Sequence, residues 1–313
     1  MRRVWTGVPD LAPRETGYSW VYDDGTEFGP LPFGLVDTEV RYRHMEQTGV
    51  AHQVMSVRPK AFGPHVPQDL AGAIVAFQND AVLEVAAASE SRLSVLASLP
   101  MQAPAAAAAE ITRLAPNPLV RGVTMECRPG GREVDDPEFE VVWSALEAAN
   151  LPVQMHPYQE DDTRLPRLGG NYLSNLIGNP FDTTIAIARL IFSGVPDRHP
   201  DLRWCFVHAG GSAPHLIGRW DHGWRSRPGV GAAIEREPSS YLSAFYFDMI
   251  AHSDRSLRLV ADVVGWDKIV IGTDFPFEMG IADPRSEIAR LGLSPHDEAS
   301  VLSGNAERFL RPI

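Results

Sequence analysis

Three apolar runs in this sequence lead into a residue able to carry a proton or hold a metal ion. "PVQMH" closes on His156, "RWCFVH" closes on His208, and "KIVIGT" runs into Asp274. A fourth run, "VRGVTME", ends in Glu126 with Arg128 two residues on, and "HQVMSV" is followed by Arg58 and Lys60. Imidazoles and carboxylates move protons near neutral pH, and they are also the side chains that bind divalent cations. One histidine after an apolar strand is most simply a packed, hydrogen-bonded residue. Two histidines and an aspartate, each ending a separate run, point instead to a metal or proton-transfer site. Downstream of His208, the planar donor forks of Arg219 and Arg225 suit either a carboxylate ligand or plain solvation. His215, His222 and His252 read as structural or exposed.

Such residues converge only if the runs that carry them are neighbouring parallel strands. Seven runs have the near-continuous apolar character of strands buried on both faces: 52–57, 93–99, 120–126, 152–156, 203–208, 245–249 and 268–273. Helix-sized segments separate them, and "RRVWT" near the start supplies a possible eighth strand. Eight βα units make a (β/α)8 TIM barrel, whose active site lies at the C-terminal ends of the strands, where the polar residues fall. A doubly wound open sheet is disfavoured because no Gly-rich phosphate fingerprint follows an early strand. Helix punctuation agrees: "DTEVRYRHMEQTGV" opens on a capping Asp37 or Thr38 and closes at Gly49, and "PFDTTIAIARLIFSGV" closes at Gly194. The alanine run in "MQAPAAAAAEITRLA" is a helix on propensity, and 226–240 is a loop before the seventh strand.

Composition bounds the function. A chain of 313 residues is normal for a single α/β barrel, so one domain over 1–313 is expected. With 44% hydrophobic and 22% charged residues it has a soluble composition, and no run is apolar enough to suggest a membrane span. A formal net charge of -12 argues against a nucleic-acid or anionic-membrane partner, because phosphate binding needs a basic field. Any acidic substrate must be met by local arginines. The start carries no apolar segment of signal-peptide length, and two cysteines, Cys127 and Cys205, fit buried thiols in a reducing compartment. A cytoplasmic location is the expectation.

The segments "LPMQAP", "VQMHPY", "NPFDTTIAIARLIFSGV", "CFVHAGGSAPHLIGRWDHGW" and "IGTDFPFEMG" together resemble the amidohydrolase superfamily, and within it the aminocarboxymuconate-semialdehyde decarboxylase branch. The likeness runs from about Asp37 to "GNAERFL" at the C-terminus, leaving 1–36 as a divergent first strand and loop. It implies a (β/α)8 barrel with a divalent metal, usually zinc. By position, it makes His156 a metal ligand, His208 the catalytic histidine and Asp274 a metal-binding, proton-handling aspartate. Arg219 falls on an arginine that crosses a homodimer interface to hold the carboxylate of a small acid substrate in the neighbouring subunit.

The pattern breaks in the first strand. The family writes Asp-x-His-x-His there, whereas this chain has "RRVWTGVP", placing Trp5 and Gly7 where the two histidines belong; alternatively, the motif lies upstream of Met1. Neither residue ligates a metal. His156 and Asp274 then supply two ligands, or three with His208, against the three of a usual catalytic zinc site. Trp5 would put a large ring on the site floor, while Glu126, Arg58, Lys60 and Arg128 add charge. Three functions follow. The first is decarboxylation of a small unsaturated or aromatic acid by His208 and Asp274, with Arg219 and either Arg58 or Arg128 holding the carboxylate, with or without metal. The second is hydrolysis, cyclisation or dehydration in secondary metabolism at the same site. The third is ligand binding without turnover.

Overall fold

The computed structural model describes residues 10–21, 25, 27–57, 67–158 and 166–312. The expected first strand, with Trp5 and Gly7, lies outside them, as do Arg58 and Lys60. Contacts divide the chain into two units, 1–51 with 273–287, and 52–272 with 288–313.

Three short strands open the first unit: β1 (Asp10–Arg14), β2 (Gly17–Val21) and β3 (Glu27–Leu31), paired antiparallel in that order. Helix α1 (Thr38–Thr48) follows. Asp37 caps it by accepting from the backbone N–H groups of Glu39 at 2.9 Å and Val40 at 3.2 Å, and Gly49 ends it at φ 67°. The 273–287 segment belongs here. His44 on α1 donates through Nε2 to the Ala282 carbonyl at 3.0 Å, and Arg41 stands over the Phe275 ring.

The second unit alternates strand and helix: β4 (Gln53–Ser56), α2 (Gln68–Ala87), β5 (Leu93–Ala97), α3 (Pro104–Leu114), β6 (Val120–Glu126), α4 (Glu140–Ala148) and β7 (Val153–His156). The chain continues through α5 (Asn179–Phe192), α6 (Val195–Arg198), β8 (Trp204–Phe206), α7 (Ala213–Ser226), α8 (Pro238–Leu242), β9 (Tyr246–Asp248), α9 (Asp254–Val264) and β10 (Ile269–Val270). All seven strands pair parallel, in unbroken sequence order from β4 to β10, which is the winding of a (β/α)8 barrel. Every expected strand in this unit is present. The expected loop at 226–240 holds the short helix α8 at its end.

Leu96, Cys205, Tyr246 and Val270, from four of the strands, form one buried cluster with Phe309 and Leu310 at the end of the chain. The tail is tied in place, since the Arg311 N–H donates to the Arg121 carbonyl at 2.9 Å. Outside the sheet, α2 buries Ala71, Val75 and Leu83. Its Asn79 bonds Ser98 through both backbone groups, at 2.9 and 3.0 Å, and Glu110 on α3 at 2.7 Å. This helix is 20 residues long and apolar enough, by length and composition alone, to cross a bilayer, which corrects the expectation that no run is.

Candidate active site

Parallel register places side chains before any motif is invoked. Glu126 pairs with His156 and Thr124 with Gln154 across β6 and β7, and registered residues project to the same side of a sheet. The Thr124 hydroxyl confirms the face by donating to Gln154 Oε1 at 3.2 Å. One side of these strand ends therefore carries Glu126 and His156 together.

His156 Nδ1–H donates to the carbonyl of Pro157 at 2.7 Å. That bond fixes the tautomer and presents Nε2 with its lone pair, the form in which an imidazole binds a metal or accepts a proton. His208 lies beside it, ring centroids 5.2 Å apart and planes at 75°. Burial pushes the His156 imidazole down to about 3, helped by the neighbouring His208, and burial with the nearby His252 pushes His208 down to about 4. Both rings are neutral at pH 7. The buried Nδ1 of His208 meets no hydrogen-bond partner among the described residues. A neutral donor pair containing an orphaned ring nitrogen fits a cation or a substrate proton, so these residues suit a divalent metal as far as the set extends.

His208 sits on a strained turn. It and Ala209 occupy the left-handed region, at φ 55° and 53°, and Gly210 and Gly211 continue the turn into α7. At Gly211, φ 62°, a Cβ would lie 2.1 Å from the Pro180 carbonyl oxygen, so only glycine fits. What holds the turn is Asp248, at the end of β9. Its buried carboxylate accepts from the backbone N–H of Ala209 at 2.9 Å and of Ile250 at 3.0 Å. Burial raises its carboxyl to about 6 despite those donors. Sequence reading passed over this residue. Its signal was available: an acid ending the apolar run "FYFDM" in the same position as the other strand-end residues.

Glu126 is buried, and its Oε1 has no hydrogen-bond partner among the described residues. Burial raises its carboxyl to about 8, and the charge of Asp182 on α5 adds to the rise. Asp182, itself buried, also went unnoticed, because one acid in the first turn of an apolar helix reads as a dipole partner. Arg128 is engaged locally: Nε donates to Glu133 at 3.3 Å and Nη2 to the Gly131 carbonyl at 2.8 Å. Arg219 is exposed on α7, and Arg225 on the same helix donates to Glu237 at 2.6 Å. His215, His222 and His252 are exposed, as expected. Asp274 lies four residues beyond β10, in the first unit, and is left-handed at φ 52°.

The amidohydrolase family model, Amidohydro_2, matches residues 32–311. A 2-amino-3-carboxymuconate-6-semialdehyde decarboxylase of Dictyostelium discoideum is 32% identical over 291 residues, 92% of this chain and 80% of its own. The solved structure of Metarhizium anisopliae IDCase in apo form superposes with a TM-score of 0.84 at 25% identity, covering 98% of this chain and 92% of that one. A dihydroxybenzoic acid decarboxylase from Polaromonas sp. JS666, solved with bound manganese and 2-nitroresorcinol, has a TM-score of 0.78 at 22% identity, over 88% and 85% of the two chains. The Dictyostelium relative and the Polaromonas neighbour are both named as decarboxylases. With the model match spanning nearly the whole described chain and the parallel strands wound in barrel order, the protein belongs to the amidohydrolase family.

Proposed function

We propose that the protein decarboxylates a small unsaturated or aromatic carboxylic acid, with His208 as the general acid/base. The observation that carries this reading is the neutral, edge-to-face pair of His156 and His208, with the His208 Nδ1 buried and unpartnered. Loss of carbon dioxide leaves electron density on carbon, so the site must deliver a proton there while holding the departing carboxylate. A neutral imidazole on a rigid turn suits this task, because it takes a proton from an acidic group and returns it to the carbon. Asp248 fixes that turn through two backbone amides and keeps the imidazole aimed.

His156, through Nε2, and Asp274, through a carboxylate oxygen, are the residues that would hold a divalent ion, with His208 as a third ligand when recruited. When bound, such an ion supplies positive charge that orients an anionic oxygen of the substrate. Two imidazoles and one carboxylate suit zinc, and manganese is accommodated by the same donors. Arg219 and Arg58, with Arg128 shared with Glu133, are assigned to the substrate carboxylate.

Arg219 takes this role in a homodimer, reaching the neighbouring subunit. Supporting that assembly, Tyr172, Leu176, Ile177, Phe181 and Ile185 leave a run of large apolar side chains exposed on α5 and the turn before it. Two buried thiols, Cys127 and Cys205, support a reducing, cytoplasmic setting. The test is carbon dioxide release from a panel of benzoic, hydroxybenzoic and muconic acids. Release from at least one supports the reading. Hydrolysis or dehydration products with no carbon dioxide would replace it with the second chemistry of the superfamily.

A further inference from the structure

Glu126 is an acid with no structural occupation. It is 7% exposed, ends β6 on the same face as His156, and offers Oε1 to no donor among the described residues. A buried carboxyl oxygen left unpaired costs about 1–3 kcal/mol, so a water, an ion or a ligand group is expected to meet it. The space in front of it is a small pocket lined by Leu99, Met101, Gln102, Thr124 and Gly130. Gly130 shapes one wall, because a Cβ there would lie 2.6 Å from the Gln102 backbone nitrogen.

Charge decides what the pocket accepts. The second acid nearby is Asp182, 4% exposed. Arg128 is the cation on that side, and Glu133 shares its charge at 3.3 Å. An anionic substituent entering here would meet two buried acids against one partly neutralised arginine, at low dielectric. A neutral substituent that gives and takes hydrogen bonds would instead satisfy Oε1.

We propose that Glu126 is a specificity-determining residue, hydrogen-bonding an uncharged hydroxyl or amino substituent of the acid and excluding a second carboxylate from the pocket. The inference rests on the decarboxylase reading and adds a selection rule to it: monoacids bearing a neutral polar group are taken, and diacids are refused.

Isothermal titration of benzoate, its three monohydroxy isomers and isophthalate against the wild type, Glu126→Gln and Glu126→Leu provides the test. The wild type should bind at least one hydroxybenzoate tenfold or more tighter than benzoate, and isophthalate at least tenfold more weakly than benzoate. Glu126→Leu should erase both ratios. Glu126→Gln, whose amide both donates and accepts, should keep the hydroxyl preference and gain isophthalate binding, which preserves the test if the leucine variant fails to fold. Equal ratios in the wild type and Glu126→Leu, or in the absence of the leucine protein an unchanged isophthalate ratio in Glu126→Gln, would overturn the assignment while leaving the decarboxylase reading intact. Failure of the wild type to bind any of these acids would overturn the assignment, and carbon dioxide release from the wider panel decides the decarboxylase reading separately.

Discussion

Replacing Asp248 by alanine removes the acceptor that holds the His208 turn without touching the imidazole. Two buried donors, the N–H groups of Ala209 and Ile250, lose their partner, at about 1–3 kcal/mol each, or about 2–6 kcal/mol together. The carboxyl contributes in the opposite sense at neutral pH. Burial raises it from 3.8 to about 6, and at about 1.4 kcal/mol per tenfold this costs about 3 kcal/mol once the group must ionise in the folded state. A raised carboxyl contributes its stability below its unfolded value and loses it as pH climbs through the folded one. Asp248→Ala is therefore destabilised by about 2–6 kcal/mol at pH 4 and by about 3 kcal/mol less at pH 7.5. Asp248→Asn keeps an acceptor that never ionises. It should match the wild type at pH 4 and exceed it by up to about 3 kcal/mol at pH 7.5. Urea unfolding at the two pH values reads these differences. Turnover separates position from stability: a misplaced His208 should cost Asp248→Ala about 100-fold in kcat with KM little changed, and the asparagine should restore most of it. A pH-independent gap between the wild type and Asp248→Ala, or undiminished kcat in the alanine variant, would refute the reasoning.

Other predictions concern the scaffold and the metal. Asn79→Ala strips Ser98 of both backbone partners and Glu110 of a donor, and should destabilise the protein by about 2–5 kcal/mol in urea unfolding; a loss under 1 kcal/mol would mean that water replaces the amide. Gly211→Ala, with its Cβ 2.1 Å from the Pro180 carbonyl and φ at 62°, should cost at least about 2 kcal/mol, and a neutral effect by thermal unfolding would show that the turn relaxes freely. Purified without chelator, the protein should carry about one divalent ion per chain by elemental analysis, and His156→Ala should lose it while staying folded. A metal-free wild type that still releases carbon dioxide would move the chemistry to His208 and Asp274 alone.

Strand positions in the second unit were legible because strands buried on both faces must be apolar throughout, and runs such as "VRGVTME" have no other reading. The antiparallel sheet β1–β3 was not. Prolines at 13 and 30 and glycines at 17 and 29 interrupt its alternation, so it resembles a loop until the pairing is seen. His156 and His208 were recoverable from their places at strand ends, but the hydrogen bonds that define them were not. A tautomer set by the Pro157 carbonyl, or a turn held by Asp248, depends on backbone groups that carry no sequence signature. Arg128 looked available for a substrate, and only the structure shows Glu133 beside it. For Glu126 the sequence marked the position, while its burial and its missing partner came from the packing of β6 against its neighbours.

Carbon dioxide release by the wild type and His208→Ala, measured side by side on the best acid of the panel, tests the central assignment most directly. The account predicts turnover in the wild type and a loss of at least about 1,000-fold in the variant, with an unchanged unfolding midpoint. Turnover retained by His208→Ala within about tenfold would contradict the role given to this imidazole.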